Sequence, residues 1–423
     1  MPRRAYDWKN GPDLIQQHSI AKHRILQSYL AEYFKTLVSS PNQELLSVTL
    51  VDGFAGGGLY IHSETKELVK GSPFIFLDAT REAEFTINRD RHKPIKMNVD
   101  YFFIEPEKHA YQHLRKTLER EGYGSKIGHE IQIFNSKFQD NVDSIIDFIR
   151  KKNPRNGRSI FSLDQYGYKE VPTALIRKIL QNLPSAETIL TFAVDSFLNY
   201  AGDSRLTNTL LGEIGVPDLL RGKTLEQIKE SEKDWRFFIQ SSLYKELVLS
   251  CGAKHYTPFF VRNAKGHGDY WLIHLSQHHR ARDVMTEVHW ANNNYFIHYG
   301  GAGLDMFQMI GYDPDHDFSR HGQVGLGFEF DDVAKSRSIL ALSEQIPAKV
   351  YAHDAGLSFG ELFATTCNDS PASADIYRET LQGLIERKVV EVTSVDNVSR
   401  RSARQIKATD QILPPSQRSL FII

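Results

Sequence analysis

The sequence predicts an α/β protein with a mostly parallel sheet that ends in an antiparallel hairpin, followed by a small module of helices and a wing. Short apolar runs alternate with helical stretches in the first half of the chain, which is typical of a parallel sheet with helices on both faces. Two later apolar runs, Tyr256–Arg262 and Asp269–Leu275, are too close in the chain for a crossover and must form a hairpin. Near the C-terminus, helical periodicity returns without further long strands.

Composition places the chain among ordinary globular proteins. It has 423 residues, of which 41% are hydrophobic and 24% are charged, and its net charge is -1; the length allows two domains. A chain with a net charge close to zero has no overall electrostatic attraction for a polyanion. A surface that binds nucleic acid would therefore have to be a local basic patch. Two cysteines and no long apolar run predict a cytoplasmic protein without a membrane span or a zinc cluster.

The first helix is predicted over Ser19–Leu37, where apolar residues recur at three- and four-residue steps. Lys22 and His23 lie at its start, and a solvated first turn is the simple interpretation of both.

The first strand, Val48–Asp52, is followed by a glycine-rich turn. An acid at the carboxyl end of a strand and a tight glycine turn predict a nucleotide-type pocket, since glycine lets the backbone approach a ligand closely. The dinucleotide fingerprint G-x-G-x-x-G is absent, and the pattern D-x-F-x-G-x-G is more typical of a methyl-donor site. The predicted cofactor-binding residues of this segment are Asp52, Gly53, Phe54, Gly56 and Gly58.

The stretch Val99–Glu107 predicts a second buried strand that also ends on an acid. In a parallel sheet, the acid that ends the second strand is placed to accept the two ribose hydroxyls of a nucleotide, so Glu105 is predicted to bind cofactor. The alternative is that Glu105 caps the helix predicted over Lys108–Glu121. The third strand, Glu130–Phe134, leads into a turn at Phe138, which we expect beside the adenine ring.

The fourth strand, Ser159–Asp164, carries the sequence Asp-Gln-Tyr-Gly at its end. Enzymes that methylate an exocyclic amine use an acid and a carbonyl to accept its hydrogen bonds, with an aromatic ring stacked on the base. Asp164 and Tyr166 supply these groups and are the predicted catalytic residues, although Gln165 stands where a proline is usual. A loop acid that orients structure is the alternative. The fifth strand is predicted over Thr188–Val194.

The domain prediction follows from these patterns. Residues 1–310 form the first domain, with a helical insertion at about 197–250, residues 311–335 form a linker, and residues 336–423 form a winged helix-turn-helix. Its predicted helices are Ser336–Gln345, Ser358–Cys367 and Ser373–Lys388, and Gln405–Ala408 is expected to pair with the strand Val389–Thr393. A basic cluster in the wing is predicted to bind nucleic acid, with a merely solvated wing as the alternative: Arg400, Arg401, Arg404 and Lys407.

No metal site is predicted. Asp313–Asp317 begins like a calcium loop, but Phe318 and Val324 occupy the positions that need glycine and glutamate.

Several segments together resemble the three-Cys-motif partner protein family, often called TcmP. They are Lys22–Tyr29, Val51–Gly58, Gly71–Pro73, Phe103–Glu105, Leu163–Gly167 and the region Tyr270–Trp290. The resemblance covers roughly the first 290 residues and implies a class I methyltransferase-like, Rossmann-type fold and a protein partner that carries three cysteines. The family's fourth-strand motif is usually Asp-Pro-Phe-Gly, and this chain departs from it.

Two functions are therefore expected. The first is an S-adenosylmethionine-dependent methyltransferase that acts on nucleic acid. The second is a non-catalytic regulatory protein that uses the same fold to bind nucleic acid or a partner.

Overall fold

The structure is a computed structural model of the chain. It describes residues 6–15, 17–165, 170–193, 235–261, 270–292, 301–306 and 330–415, with residues 209, 211–217, 219, 227, 228 and 230 between them. The chain divides into two compact units, one made of residues 1–235 and 242–288, and the other of residues 236–241 and 289–423.

The first unit is built on a seven-stranded sheet with the order β6-β5-β2-β7-β8-β10-β9. Its strands are β2 Leu45–Asp52, β5 Lys96–Ile104, β6 Ile131–Phe134, β7 Ser159–Leu163, β8 Ala186–Phe192, β9 His255–Val261 and β10 Tyr270–Ser276. The first five are parallel, and β10 runs antiparallel to both β8 and β9. Every residue of β7 and β8 is buried, as expected for strands covered on both faces.

This strand order is that of the class I methyltransferases, with β2 and β7 side by side in the interior of the sheet and the hairpin at one edge. The predicted fold class is therefore confirmed: an α/β, Rossmann-type sheet, mostly parallel, that ends in an antiparallel hairpin. The functional consequence is the position of the crevice. In such sheets, ligands bind beyond the carboxyl ends of the parallel strands.

Helices cover the sheet. They are α1 Gln17–Leu37, α2 Ser72–Arg89, α3 Lys108–Leu118, α4 Phe138–Lys152, α5 Thr173–Asn182, α6 Trp235–Cys251 and α7 His279–Ala291. Helix α3 continues into a π turn, Glu119–Tyr123, and a 3-10 turn, Gly124–Lys126. Helix α4 begins at Phe138, where a turn was predicted, and Phe138, Val142, Ile145 and Ile149 share its buried face.

A second, small sheet was not anticipated from the sequence. It has the order β1-β3-β4, formed by Leu14–Ile15, Leu59–His62 and Leu68–Lys70. Strand β1 pairs with β3, which follows the glycine turn. The N-terminal segment is therefore part of the packed structure, and Trp8 is buried against Tyr60.

The second unit contains a winged helix-turn-helix. Helices α8 Asp332–Tyr351, α9 Phe359–Thr366 and α10 Ala374–Glu386 pack around one apolar core. Strands β11 Leu357–Ser358, β12 Glu391–Thr393 and β13 Gln411–Leu413 form a sheet with β13 in the middle. Two 3-10 turns, Cys367–Asp369 and Ala403–Gln405, complete it.

Two boundaries in this unit differ from the prediction. Helix α8 begins at Asp332, where Asp331 caps it by accepting the Ala334 amide at 2.7 Å. The partner of β12 is Gln411–Leu413, and the predicted partner, Gln405–Ala408, lies in a turn instead. Most of the predicted linker, residues 311–329, and much of the predicted insertion at 197–250 lie outside the described residues.

Within the part of the chain that the structure describes, no helix is long and apolar enough to cross a membrane.

Candidate functional site: three carboxylates at one edge of the sheet

Three acids lie beyond the carboxyl ends of three adjacent strands. Asp52 ends β2, Glu105 follows β5, and Asp164 follows β7. The register places Asp52 beside Phe103 of β5 and Ser162 of β7. All three acids were predicted site residues, and the sheet brings them together at the carboxyl ends of its parallel strands, where the crevice of this fold lies.

Glu105 is held by backbone amides. Its Oε2 accepts the Gly56 amide at 2.8 Å, and its Oε1 accepts the Glu107 amide at 2.7 Å. The helix cap is Glu107, whose carboxylate accepts the Ala110 amide at 2.6 Å. Glu105 therefore does not cap α3, and it links the glycine turn to the start of that helix. Burial raises the pKa of Glu105, and the two amides partly offset this.

Asp52 is fully buried. Burial raises its pKa to about 7; the Ser72 hydroxyl and the Phe54 amide, at 3.1 Å from Oδ1, act in the opposite direction. The other oxygen, Oδ2, has no partner with good hydrogen-bond geometry among the described residues. A carboxylate this poorly compensated would be stabilised by a cationic ligand group.

The glycine turn is needed for a reason that the sequence did not reveal. Gly56 and Gly58 have positive φ angles of 59° and 81°. A Cβ on Gly57 would lie 2.3 Å from the Trp8 ring, and one on Gly56 would lie 2.4 Å from the Tyr60 hydroxyl. The open faces of these glycines are therefore filled by the protein's own aromatic side chains, at the place where a ligand was predicted.

Phe138 is also a core residue in the described contacts. It is 2% exposed, and its ring lies beneath Gly53 and edge-on to Phe161. These contacts differ from those expected of a ring that flanks adenine. The turn before it does lie close to the site, because Asn135 donates to the Glu105 carbonyl at 2.9 Å.

A second group of polar residues surrounds Asp164. Lys22 Nζ lies 2.5 Å from Asp164 Oδ1, and Lys22 is only 9% exposed. The two residues line a small cavity of about 20 Å³, enough for one water molecule. The other polar residues around that cavity are His23, Ser72, Ser162 and Thr191.

The electrostatics of this corner follow from the ion pair. Burial opposes ionisation of Asp164, but Lys22 and the Thr191 hydroxyl outweigh it and hold the pKa of Asp164 below its ordinary value. Burial lowers the pKa of His23 to about 4, with a further contribution from Lys22. His23 is therefore neutral at pH 7, and its Nδ1 has no partner among the described residues.

Lys22, His23 and Ser72 were not among the predicted site residues. The interpretation of Lys22 as part of a solvated first turn is wrong, since the side chain is buried. A local signal existed: Lys22 lies three and four residues before Ile25 and Leu26, which places it on the apolar face of α1.

The motif Asp-Gln-Tyr-Gly is only partly described. Gln165 is 2% exposed, and its Oε1 accepts the amides of Glu170 and Val171 at 2.9 and 3.0 Å. It therefore fixes the loop after β7. Tyr166, the second predicted catalytic residue, lies outside the described residues, as do Asp313–Asp317.

In the second unit, the four predicted basic residues fall between β12 and β13, in the segment 394–410 that we call the wing. Arg400 is paired with buried Asp410, Nε to Oδ2 at 2.9 Å, and so has a structural role. Arg401, Arg404 and Lys407 are exposed. Helix α10 presents a different surface, because its exposed residues are Asp375, Glu379 and Glu386.

Comparison with known proteins agrees with the winged module. The family model of the GMT-like wHTH domain matches residues 311–397. No curated protein matches the chain.

Solved structures with a similar fold are distant. A Legionella pneumophila protein of the family DUF519 is 10% identical, with a TM-score of 0.36, over 62% of this chain and 85% of that one. A Methanococcus maripaludis protein proposed to be an S-adenosyl-L-methionine-dependent methyltransferase is 12% identical, with a TM-score of 0.27, over 66% and 97%. A proposed O-methyltransferase from Klebsiella pneumoniae is 11% identical, with a TM-score of 0.28, over 62% and 92%. The strand order itself defines the fold: the first unit is methyltransferase-like and the second contains a winged helix-turn-helix.

Proposed function

We propose that the chain is an S-adenosylmethionine-dependent methyltransferase that acts on nucleic acid. The observation that carries the proposal is the convergence of Asp52, Glu105 and Asp164 beside a glycine turn, at the ligand-binding edge of a class I sheet. S-adenosylmethionine, when bound, would supply an electrophilic methyl group. The residues of the chain would bind it, orient the acceptor and manage the acceptor's proton.

On the cofactor side, the two carboxylates are hydrogen-bond acceptors that fit a cationic, sugar-bearing ligand. Buried Asp52, with its unpartnered Oδ2, suits the ligand's amino group. Glu105 accepts two amides, and a carboxylate has about four acceptor sites, so it can still receive ribose hydroxyls. The backbone of Gly53, Phe54, Gly56 and Gly58 would complete this side, and Phe138 stays a proposed neighbour of the adenine.

On the acceptor side, Asp164 is kept ionised by Lys22 and can accept a hydrogen bond from an amine. Neutral His23 can receive a proton at Nδ1. Tyr166 is proposed to stack on a base. Most of the rate acceleration in such a site would come from positioning.

Nucleic acid is proposed as the acceptor because of the wing. Exposed Arg401, Arg404 and Lys407 suit phosphate contacts, which position a duplex without reading its sequence. The acids of α10 would be repelled by a phosphate backbone, so we do not expect α10 to read bases in the major groove.

Methyl transfer from labelled S-adenosylmethionine to total RNA and DNA tests the activity, and calorimetry tests cofactor binding. We expect Glu105→Gln, which keeps an acceptor oxygen for the Gly56 amide, to bind cofactor about tenfold more weakly, since a charge-assisted hydrogen bond contributes roughly 1.5–3 kcal/mol. The exposed Glu44→Gln is the matched control and should bind like wild type. Cofactor binding that is equal in all three proteins would refute the assignment of Glu105.

A second candidate is a non-catalytic regulatory protein. Two observations favour this candidate. The rings of Trp8 and Tyr60 cover the glycine turn, and Asp164 already forms an ion pair with Lys22. This candidate predicts no heat with S-adenosylmethionine in any variant, together with binding of nucleic acid through the wing.

The three-Cys-motif partner protein family is also proposed for this chain. Support comes from its characteristic residues Lys22, His23, Ser72 and Asp164, which line one cavity although they are far apart in the sequence. The family implies a partner with three cysteines, and co-purification of the two proteins tests for it.

A further inference from the structure

A second cavity lies at the amino ends of the parallel strands, on the side of the sheet opposite to the three carboxylates. It has a volume of about 350 Å³ and is found where β8 and α7 begin and β10 ends. This volume is within the range of small-molecule sites. Its walls are mainly apolar and include the rings of Tyr29 and Tyr33, with Leu37 and Val284. The carboxylates of the cofactor edge are at the other ends of the strands, so this cavity is a separate site.

Tyr33 presents an unused hydroxyl to this cavity. The residue is 4% exposed, and its Oη has no hydrogen-bond partner among the described residues. Burial raises the pKa of Tyr33 well above its ordinary value, so the hydroxyl keeps its proton and can donate. A buried hydroxyl without a partner is unfavourable, and an acceptor on a ligand would satisfy it.

Glu187 presents an acceptor. Its Oε2 receives the Tyr29 hydroxyl and lies 2.9 Å from His274 Nε2. This buried network fixes the side chain at the wall of the cavity. The hydrogen bonds of the described residues reach only Oε2, which leaves Oε1 to accept a donor from a ligand.

Arg158 presents a positive charge. It is half-buried, lines the cavity and forms no ion pair with a described residue. Arg280, on the same wall, differs because its guanidinium already holds Asp283 at 2.6 Å and Glu287 at 3.2 Å. Arg158 is therefore the cation available to an anionic ligand group.

We propose that this cavity binds a small zwitterion with an apolar body, the chemical class of free α-amino acids with large apolar side chains. The carboxylate would pair with Arg158 and accept the Tyr33 hydroxyl. The ammonium group would donate to Glu187, and the apolar side chain would lie among Tyr29, Leu37 and Val284. The two charges of the ligand thus meet side chains of opposite charge, and its carboxylate also meets the unpartnered Tyr33 hydroxyl.

Calorimetry with L-phenylalanine, 3-phenylpropanoate and phenethylamine tests the proposal, because the last two probes lack the ammonium group and the carboxylate respectively. We expect L-phenylalanine to bind and each of the other two to bind at least about tenfold more weakly, as the loss of one charged hydrogen bond implies. The substitution Arg158→Gln should lower the affinity for L-phenylalanine by a similar factor. The exposed Arg155→Gln and the cofactor-site variant Glu105→Gln should bind it like wild type.

Tyr33→Phe gives a second, independent readout. Removing the unpartnered hydroxyl should raise the Tm of the free protein and lower its affinity for L-phenylalanine, a pair of opposite effects that a purely structural tyrosine would not produce. Absence of heat with all three probes would overturn the proposal. Equal affinity of wild type and Arg158→Gln for L-phenylalanine would overturn it as well.

Discussion

Two aspartates lie at the ends of the neighbouring strands β2 and β7, in opposite electrostatic environments. Asp52 is fully buried with only neutral donors near it, and its pKa rises to about 7. Asp164 is 34% exposed and paired with Lys22, and its pKa falls below the ordinary value. The difference comes mainly from Lys22, which belongs to a helix 142 positions away from Asp164 in the sequence. Sites often assign roles to paired acids in this way.

The comparison has a functional meaning under the proposed activity. The environment of Asp52 lacks a positive charge, which a cationic cofactor would bring. The environment of Asp164 already has one, so this acid stays ionised for an acceptor. Replacing each acid by the neutral asparagine should therefore change the stability of the protein in opposite directions.

The largest effect is expected for Asp52→Asn. Because the folded-state pKa of Asp52 is above the unfolded value of about 4, folding favours the protonated form, and wild-type stability falls as pH rises from about 4 to 7. A difference of three pKa units corresponds to about 4 kcal/mol. At pH 8 the variant should be more stable than wild type by up to that amount, with the gain falling below about 1 kcal/mol at pH 4.

Urea denaturation at pH 8, 6 and 4 measures this dependence. A variant that is equally stable or less stable than wild type at pH 8 would show that Asp52 is not a destabilised carboxylate.

A smaller effect of opposite sign is expected for Asp164→Asn, which removes the negative charge that pairs with the buried Lys22. Breaking a buried ion pair costs about 3–5 kcal/mol, and exposure of Asp164 reduces this to about 2 kcal/mol. Since the folded-state pKa of Asp164 is lowered, the stabilisation is present above pH 4 and is lost as pH falls through the folded-state value.

Asp143→Asn is the matched control, because Asp143 pairs with Lys178 on the surface and should contribute about 0–1 kcal/mol. Urea denaturation at pH 7 compares the two variants. If Asp164→Asn were as stable as Asp143→Asn, the ion pair of Lys22 and Asp164 would not contribute to the stability of the protein. The contrast with Asp52 would then disappear.

An effect of similar size is expected for Gly57→Ala, which tests the glycine turn beside Asp52. The added methyl group would push against the Trp8 ring and cost about 1–3 kcal/mol. In the double variant Gly57→Ala/Trp8→Ala, the methyl group has space, so the two effects should not add. Thermal or urea unfolding of the set measures the coupling. Strict additivity would show that Trp8 does not occupy the glycine face.

Much of the fold could be predicted from local patterns. The hairpin was predicted at Tyr256–Arg262 and Asp269–Leu275 and is found at His255–Val261 and Tyr270–Ser276, because two nearby apolar runs allow no other connection. Strand β13 was missed because it has only three residues, with Ile412 alone buried. The competing segment Gln405–Ala408 looked equally suitable, although only Ile406 is buried there.

The site was less predictable, for a physical reason. Acids at strand ends follow from the local sequence, so Asp52, Glu105 and Asp164 could be identified. Contacts between distant segments leave no such mark, and the pairing of Lys22 with Asp164 depends on how α1 crosses the sheet. The contact of Trp8 with Gly57 is a second example. The local sequence around a glycine is the same whether the glycine faces an aromatic ring of the protein or a ligand.

The most direct test of the account is the number of protons released when S-adenosylmethionine binds at pH 7, measured by calorimetry in two buffers with different ionisation enthalpies. With a pKa of about 7, Asp52 is half protonated there, and a cationic ligand group beside it should displace about half a proton. We predict that release in wild type and none in Asp52→Asn. The same heat in both buffers, or no heat at all, would contradict the claim that Asp52 receives the cofactor.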